Sequence, residues 1–449
     1  MIIKKLIPKK LLSLYHLVLA YLAASFYGRP SDRIIVIGVT GTNGKSTTVN
    51  LIAKILEESG ARVGFTSTVN FRVGDREWLN DEKMTMLGRF KLQKLLRDMV
   101  KAGCKYAVIE TSSEGIVQHR HGAINYDAAV FTNLTPEHIE SHGGFENYKK
   151  AKGELFKKLK IKNVKCKIIG GQCVPKVSVV NGDDPHAEYF LSFPADEKVI
   201  YGIEHSASPQ SLAFLHSKLS FSRCLAQNVY VDATGSQFEI DDVKFRLKLM
   251  GKFNVYNALA AIASAYALGI DLKMCKSALE KVQGIPGRLE RIDEGQPFTV
   301  IIDYAPEPAS MQALYEVVGM LPHQRIIHVL GSTGGGRDVA RRPILGGIAA
   351  RNADYVIVTN EDPYNDDPQT IIDDVARGAE EAMRQVSGIR YQAVLKILDR
   401  KEAIAKALSL AQSGDLVLIT GKGAEQAMVV KHGQKIPWDD RVVTRELLH

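Results

Sequence analysis

Short apolar runs alternate with segments of helical spacing along most of the chain. RIIVIGVT, YAVIETSS, DAAVFTNL and VSVVNGDD are typical of buried strands, and FKLQKLLRDMVKAG has the spacing of a helix. This alternation predicts a parallel sheet flanked by helices. From about residue 197 to 249 the segments become short and alternating, which predicts a β excursion within the same domain. NVYNALAAIASAYALGI then predicts a helix.

A second alternating pattern follows a segment rich in glycine and proline. GIPGRLERIDEG, from Gly284 to Gly295, predicts a hinge, and FTVIIDYA, RIIHVLGS, ADYVIVTNE and DLVLITGKG after it predict a separate α/β domain. We therefore predict an N-terminal helical segment over residues 1–33, a central parallel-sheet domain over 34–287 and a Rossmann-like C-terminal α/β domain over 288–449.

The first predicted strand runs into a glycine-rich turn and a helix, VIGVTGTNGKSTTVNLIAKIL. A standard Walker A loop would place glycine at position 39, where Val39 stands. The physics of the loop still applies, because glycines let successive N–H groups point at phosphate oxygens and the helix adds its positive end. The central domain is thus predicted to be a P-loop domain that binds a nucleoside triphosphate, with Lys45 at the terminal phosphates and Ser46 on a Mg²⁺ ion. Its predicted nucleotide-binding residues are Gly41, Thr42, Asn43, Gly44, Lys45, Ser46 and Thr47.

Charge and the N-terminal segment limit the partners of the chain. The formal charge of +8 is concentrated partly in KKLIPKK and in the run from Lys149 to Lys167, which favours local anion or membrane-surface attraction over a nucleic-acid groove. The apolar segment from Leu11 to Tyr27 is short for a membrane-spanning helix, and a signal peptide fits it only in outline. We interpret it as a helix that packs on the core or lies on the inner membrane surface.

Cysteine usage points to the compartment. Five scattered cysteines form no CxxC pair, which fits a reducing cytosol and argues against a zinc ribbon. We expect all five to be buried small hydrophobes. The chain is therefore predicted to be cytoplasmic, with membrane association through its N-terminal segment left open.

Polar residues follow the predicted strands of the central domain. Glu110 ends YAVIE, and Asn133, Glu137 and His138 follow DAAVF. Because ligands of an open parallel sheet sit at the carboxyl ends of its strands, these side chains should lie near the crevice that holds Lys45. A carboxylate and an imidazole near phosphates predict a magnesium site.

An ordered set of motifs resembles the Mur ligase family. TGTNGKST, IETSSEGIVQHR, FTNLTPEHIESHG, YKKAKGELF, NGDDP, GKFNVYNALAA, GIPGRLERID, IIDYA, RDVARRPILG, DPYNDDP and GKGAE occur in the family's order and spacing. The nearest branch is that of the UDP-N-acetylmuramoyl-dipeptide ligases, which add the third amino acid of the peptidoglycan stem. The resemblance covers nearly everything from Ile34 onward.

The resemblance implies an ATP-dependent amide ligase. The acceptor carboxylate would attack the γ-phosphate to give an acyl phosphate and ADP, and an amine would then attack the carbonyl. Two Mg²⁺ ions are implied, one shared by Ser46 and Glu110 and the other at His138, with Lys45 as a further catalytic residue. The family's carbamylated lysine aligns with Lys152, which would become an anionic oxygen ligand. The remaining nucleotide contacts implied are Asn257 with adenine, Asp303 with ribose, and Arg288 at the hinge near the phosphates.

Substrate contacts are also implied by the resemblance. They are Thr111, Ser112, Ser113, Gln118, Arg120, Arg337, Asp362, Pro363, Tyr364, Gly421, Gly423 and Glu425. The family's diaminopimelate users have DNPR where this chain has EDPY, so that Tyr364 replaces an arginine that grips a distal carboxylate. Glu361, Asp362 and Asp366 make the neighbourhood acidic, which predicts L-lysine or another diamino acid as the substrate. The alternative is selection from the side of residues 423–425.

Departures from the family pattern leave the acceptor open. Only about 33 residues precede the first strand, so the family's UDP-binding domain has no counterpart here and a lipid-linked acceptor becomes an alternative. Glu114, Pro306 and Ala424 stand where the family has histidines. Two other functions remain: a folylpolyglutamate or polymer-type ligase, and a Mur-like nucleotide-binding subunit that works with an amidotransferase. The second usually carries a cysteine-rich zinc insert, and the retained C-terminal motifs favour a true ligase that acts on a muramoyl-peptide acceptor.

Overall fold

The structure is a computed structural model that describes residues 8–137, 139–159, 167–204, 222–385 and 393–449. The chain divides into two compact units. The first comprises Met1–Thr135, Glu146–Val231 and Gly235–Gln283. The second comprises Pro136–Phe145, Asp232–Thr234 and Gly284–His449.

The first unit is built on an 11-stranded sheet with the order β13-β12-β11-β10-β9-β6-β1-β5-β2-β3-β4, beside a separate hairpin of β7 and β8. The strands are β1 Ile35–Thr40, β2 Val63–Thr66, β3 Asn70–Val73, β4 Arg76–Leu79, β5 Tyr106–Glu110, β6 Ala128–Phe131, β7 Lys167–Ile169, β8 Gln172–Val174, β9 Val177–Asn181, β10 Glu197–Ile203, β11 Ser222–Asp232, β12 Gly235–Ile240 and β13 Val243–Leu247.

Parallel pairing dominates the middle of this sheet and antiparallel pairing its ends. Strand β1 lies between β5 and β6, with Ile37 opposite Val108 on one side and Ala128 on the other. All six residues of β1 are buried, as a central strand covered on both faces requires. Strands β10 to β13 extend the same sheet, which confirms the predicted β excursion.

Nine helices precede residue 281 among the described residues. They are α1 Lys9–Phe26, α2 Lys45–Glu58, α3 Arg89–Lys101, α4 Ser113–Val117, α5 Ile139–His142, α6 Phe145–Lys157, α7 Ala187–Leu191, α8 Lys252–Tyr266 and α9 Leu272–Glu280. The predicted N-terminal helix is present as α1, which packs on α3. Within the described residues, no helix combines the length and apolar character needed to cross a membrane.

The cysteine prediction is confirmed for three positions and wrong for one. Cys104, Cys224 and Cys275 are buried free thiols. Cys173 is exposed, because it lies on the surface hairpin of β7 and β8 and not in the core, and it is disulfide-bonded. Cys166 lies outside the described residues.

The second unit contains a six-stranded sheet with the order β14-β15-β19-β16-β17-β18 and a small hairpin. Its strands are β14 Glu290–Ile292, β15 Thr299–Asp303, β16 Ile326–Leu330, β17 Tyr355–Thr359, β18 Ala393–Ile397, β19 Leu416–Thr420, β20 Ala427–Val429 and β21 Lys435–Pro437. Its helices after residue 284 are α10 Pro308–Val318, α11 Arg341–Asn352, α12 Pro368–Gln385, α13 Arg400–Leu410 and α14 Asp440–Leu448.

Strand β19 shows why this sheet has helices on both faces. Leu416 and Leu418 belong to one buried cluster, which includes residues of α10, α11 and α12. Val417 and Ile419 belong to a second cluster, with residues of α13 and α14. Because side chains alternate across a strand, a continuous apolar run buries both faces. This three-layer arrangement confirms the predicted Rossmann-like α/β fold.

The predicted hinge is partly regular structure. Within GIPGRLERIDEG, residues Glu290–Ile292 form strand β14, which pairs antiparallel with β15. Ile292 is fully buried, and the burial of this side chain favours an edge strand over a loop.

Candidate active site

The glycine-rich loop of the first unit lies between β1 and α2, at the carboxyl end of the sheet. Gly44 has a φ of 79°, and a Cβ on it would lie 2.1 Å from Asn257 Oδ1. A Cβ on Gly41 would lie 1.9 Å from Thr132 Oγ1. Only glycine therefore fits either position, and the resulting turn starts helix α2 at Lys45 with its N-terminal N–H groups free of a side-chain cap.

Residues that follow β6 hold this loop in place. The Asn43 N–H donates to Asn133 Oδ1 over 2.9 Å, and Thr132 Oγ1 donates to the Asn43 carbonyl over 2.7 Å. Lys45 Nζ donates to the Thr42 carbonyl over 2.6 Å. The ammonium group thus lies over the loop, where a phosphate chain would lie.

Ser46 and Glu110 form a buried oxygen pair behind the loop. Ser46 Oγ donates to Glu110 Oε2 over 2.7 Å, and both residues are at most 5% exposed. Thr68, which was not identified from the sequence, donates its backbone N–H to the same carboxylate oxygen over 2.7 Å. A hydroxyl and a carboxylate are the hard ligands that Mg²⁺ prefers. The pair therefore suits one magnesium ion, while His138, the predicted ligand of the other ion, lies outside the described residues.

Lys152 is buried against the P-loop although it lies in a lysine-rich helix. Its exposure is 1%, its Nζ donates to the Gly41 carbonyl over 2.7 Å, and it lies 4.3 Å from the centre of the Tyr148 ring. Helical spacing puts Lys149 and Lys157 on other faces of α6, where each pairs with a neighbouring glutamate. Lys152 alone among these three points inward, as a ligand residue would.

The segment after β5 carries the predicted acceptor contacts. Thr111 is buried, and its N–H donates to the Val39 carbonyl, so the segment runs beside the strand that precedes the P-loop. Ser112 caps helix α4 by accepting a hydrogen bond from the Gly115 N–H, and Ser113 is the buried first residue of that helix.

Two arginines converge beyond helix α4. Arg120 donates to Gln118 Oε1 over 2.8 Å and also to the Met86 carbonyl, while Arg89 donates to the Gln118 carbonyl. Burial lowers the pKa of Arg120, and the charge of Arg89 lowers it further. This paired cationic surface suits an acceptor that carries carboxylates. Arg89 was not identified from the sequence, because it lies in an ordinary amphipathic helix.

The remaining predicted nucleotide contacts lie in different units. Asn257, on α8 of the first unit, lies close enough to Gly44 to exclude a side chain there and accepts a hydrogen bond from Thr48. In the second unit, Asp303 accepts hydrogen bonds from the backbone N–H groups of Leu289 and Ala305. Burial raises its pKa, and this effect is opposed by Arg288, which lies over the Tyr304 ring at 4.5 Å.

A buried charge network underlies the predicted amino-acid pocket. Lys422 is fully buried and contacts both Asp362 oxygens at 2.9 and 3.0 Å, as well as a Glu425 oxygen at 3.0 Å. The Oδ2 atom of Asp366 lies 3.2 Å from Nη2 of Arg342. Asp362 and Asp366 are therefore each contacted by a cation, but Lys422 also contacts Glu425 and Arg342 also contacts Asp374, so the acidic character of this neighbourhood stays a prediction.

Glu361 is the carboxylate of this pocket that no lysine or arginine contacts in the described structure. It accepts a hydrogen bond from Thr333 Oγ1 over 2.7 Å, and burial together with the charge of Asp362 raises its pKa. A Cβ on Gly421 would lie 2.4 Å from its Oε2 atom, so the carboxylate passes directly over glycine backbone.

The other pocket residues are brought together by tight backbone contacts. The Tyr364 ring packs on Gly335, where an added Cβ would lie 2.6 Å from it, and Tyr364 N–H donates to the Val429 carbonyl. The charge of Arg337 lowers the pKa of Tyr364, against the larger opposite effect of burial. The Pro363 carbonyl approaches Gly334, and Gly423 approaches the Gly287 carbonyl.

The second unit also contains a pair of carboxyl groups, Glu307 and Glu137, of which only Glu137 was identified from the sequence. Glu307 and Glu137 are hydrogen-bonded to each other, and Glu307 also accepts from Arg341 over 2.7 Å. Burial and the charge of Glu137 raise the pKa of Glu307. In the described part of the chain, no three His, Cys, Asp or Glu residues group as metal ligands.

The chain thus combines a P-loop on a largely parallel sheet with a Rossmann-like unit that contains a polar pocket. Residues 39–265 match the family model described as Mur ligase middle domain, and residues 287–423 match Mur ligase, glutamate ligase domain. The chain belongs to the Mur ligase family, whose members are ATP-dependent, ADP-forming ligases that use Mg²⁺.

Individual relatives agree with this membership. The chain is 40% identical over 438 residues to a UDP-N-acetylmuramyl-tripeptide synthetase of Roseiflexus sp., covering 96% of this chain and 81% of the relative. It is 37% identical over 434 residues to the UDP-N-acetylmuramoyl-L-alanyl-D-glutamate–2,6-diaminopimelate ligase of Halalkalibacterium halodurans, with the same two coverages.

Solved structures match over most of the chain. A UDP-N-acetylmuramoyl-L-alanyl-D-glutamate–2,6-diaminopimelate ligase has a TM-score of 0.57 and 28% identity, covering 93% of this chain and 78% of that one. The Mycobacterium tuberculosis folylpolyglutamate synthase has a TM-score of 0.66 at 18% identity, covering 90% and 92%, which indicates a shared fold.

Proposed function

We propose that this chain joins an amino acid to the carboxylate of a muramoyl-peptide acceptor in peptidoglycan synthesis. The observation that carries the proposal is the burial of Lys152 against the P-loop, beside a loop already supplied with Lys45 and the Ser46–Glu110 pair. The names of the relatives support the same acceptor class.

In the proposed mechanism Lys45 binds and neutralises the terminal phosphates while the acceptor carboxylate attacks the γ-phosphorus. Ser46 and Glu110 would hold one magnesium ion, which supplies charge neutralisation when bound, and His138 would contribute to a second. Lys152 in its neutral form would add CO₂ and release a proton, becoming a carbamate that acts as an oxygen ligand. Asn257, Asp303 and Arg288 would contact the nucleotide.

The acceptor and the amino acid would bind to separate groups of residues. The acceptor's carboxylates would face Arg120 and the segment from Thr111 to Gln118, and the amino acid's carboxylate would face Arg337. Glu361 would receive the distal ammonium group of L-lysine or another diamino acid, because no lysine or arginine contacts its carboxylate in the described structure. We place the reaction in the cytoplasm, where ATP is available.

The deciding experiment measures phosphate release from ATP with a panel of acceptors and amino acids. We expect release to require both a muramoyl-peptide acceptor and a diamino acid, with amide product in equal amount. Release with folate or with glutamate-terminated polymers, but not with a muramoyl peptide, would contradict the proposal.

A further inference from the structure

Helix α1 carries a stripe of large apolar side chains on its outer face. The stripe residues are between 47% and 71% exposed, and they are Leu11, Leu14, Tyr15, Val18, Leu22 and Phe26. At about 100° per residue they span an arc of roughly 120°. Scattered exposed apolar residues are ordinary, but a continuous stripe of this size marks a contact surface.

The inner face of α1 has the opposite composition. Ala20, Ala23 and Ala24 are at most 3% exposed, and Ser13 Oγ shares a hydrogen bond of 2.7 Å with His119 Nε2. Small and polar residues thus make much of the contact with the first unit, together with Leu17, whose Cδ1 atom would lie 3.3 Å from a Cβ on Gly122. Packing on the first unit therefore leaves the six stripe residues exposed.

Basic residues flank the stripe in the sequence. Residues 1–31 contain Lys4, Lys5, Lys9, Lys10 and Arg29 and no acidic residue. Past the end of α1, a shallow recess of about 430 Å³ is lined by Ser25, Gly28, Arg29, Asp32 and Arg33. Both arginines are exposed, and neither forms an ion pair with the part of the chain that is described.

We propose that this surface docks on an anionic lipid bilayer, with the stripe inserted at the headgroup–acyl boundary and Arg29 and Arg33 at the level of lipid phosphates. An apolar face flanked by cations is the composition of a helix that lies in a membrane interface. Aromatic side chains such as those of Tyr15 and Phe26 are favoured at that depth.

Charge decides between a bilayer and a second copy of the chain. Two stripes face to face would bring together two segments that each carry six positive residues and one negative residue over positions 1–33, so that the segments repel each other. An anionic leaflet attracts the same residues. The proposal concerns attachment only, and it holds whatever acceptor and amino acid the ligase uses.

The apolar part is tested by vesicle flotation. We expect the wild-type chain to float with vesicles of phosphatidylcholine mixed with phosphatidylglycerol. Val18→Glu with Leu22→Glu should lower the partition coefficient at least about tenfold, because two inserted side chains become charged. Tyr230→Glu with Tyr266→Glu is the matched control, since these residues are 60% and 50% exposed elsewhere in the first unit, and it should float like the wild type.

The arginine part is tested separately. Arg29→Gln with Arg33→Gln should bind the anionic vesicles about thirtyfold more weakly, from about 1 kcal/mol for each cation near the surface. Binding to phosphatidylcholine alone should not change. Arg246→Gln with Arg291→Gln, two exposed arginines on strands β13 and β14, is the matched control.

Three results would overturn the proposal. One is a wild-type chain that floats neither with the anionic vesicles nor with phosphatidylcholine alone. Another is that Val18→Glu with Leu22→Glu and Arg29→Gln with Arg33→Gln both bind the anionic vesicles as the wild type does. The third is a lipid-free dimer that Val18→Glu with Leu22→Glu converts to monomer, which would assign the stripe to a second copy. Retained ATP turnover in every variant shows that folding and the ligase site are intact.

Discussion

The phosphate-binding loop of the first unit and the amino-acid pocket of the second are assembled in different ways. The loop, from Gly41 to Thr47, is one continuous segment whose glycines are required by close contacts with Thr132 and Asn257. The pocket collects Glu361, Tyr364 and Lys422 from segments that follow different strands of the sheet.

The two sites also differ in the partners of their lysine side chains. Around the loop, Lys45 donates to one acceptor among the described residues, the Thr42 backbone carbonyl, so its charge is available to a ligand. In the pocket, Lys422 contacts carboxylate oxygens of Asp362 and Glu425, so its charge is used within the protein. We infer that the first site binds through net charge and that the second selects through Glu361, which no lysine or arginine contacts among the described residues, and through the hydroxyl of Tyr364.

The largest expected effect tests the available charge at the loop. Lys45→Ala should lower kcat for ATP turnover by about a thousandfold or more, because one positive charge on the transferred phosphate is lost. The thermal midpoint should change little, since Lys45 is not part of the core. Lys54→Ala, on the same helix and 41% exposed at its side chain, is the control. A folded Lys45→Ala variant with normal turnover would remove the phosphate-binding role.

The second effect concerns Lys152. Lys152→Ala should be nearly inactive and partly rescued by added short carboxylates, which replace the missing oxygen ligand. Lys157→Ala, exposed on the same helix, should keep its activity. Mass spectrometry can lose the labile carbamate, so rescue is the decisive measurement. Full activity of Lys152→Ala would show that this lysine has no catalytic part, and inactivity without rescue would favour a purely structural contact with Gly41.

The phosphate-binding loop and the amino-acid pocket also differ in how far they could be predicted from the sequence. The loop, its flanking strand and helix, and the partners Ser46 and Glu110 follow from one continuous motif and from strand order, so they could be predicted. Lys422 could not, because the residue that neutralises Asp362 is 60 positions away and GKGAE gives no sign of which way its lysine points. The burial of β19 on both faces was predictable from its apolar run. Arg89 and Thr68 were identified as site residues only from their tertiary contacts.

A smaller effect tests whether Tyr364 and Glu361 select the amino-acid substrate. Tyr364→Arg should raise kcat/KM for meso-diaminopimelate relative to L-lysine by about 10- to 100-fold, since a charge-assisted hydrogen bond contributes about 1.5–3 kcal/mol. Glu361→Gln should lower kcat/KM for lysine without the same gain. Tyr266→Arg, an exposed tyrosine of the first unit, is the control. A wild-type chain with a clear preference for diaminopimelate would contradict this prediction.

The smallest expected effect compares how the free energy of unfolding of each unit falls as the pH is lowered. Each contains a buried neutral histidine. Burial lowers the pKa of His121 to about 3, helped by Lys158 and His119. Burial also lowers the pKa of His328 to about 3, helped by Arg400. Unfolding would return each imidazole to a pKa near 6.5.

Between about pH 3 and 6.5 the unfolded chain therefore binds more protons than the folded chain, and stability falls as pH falls. Each histidine should remove about 2 kcal/mol from the free energy of unfolding between pH 7 and pH 5. Urea unfolding at the two pH values measures this loss. His121→Gln should reduce it in the transition of the first unit and His328→Gln in that of the second, while His432→Gln, at an exposed position, should leave it unchanged. Equal losses in all three variants and the wild type would mean that carboxylates, not these imidazoles, set the acid limit of the fold.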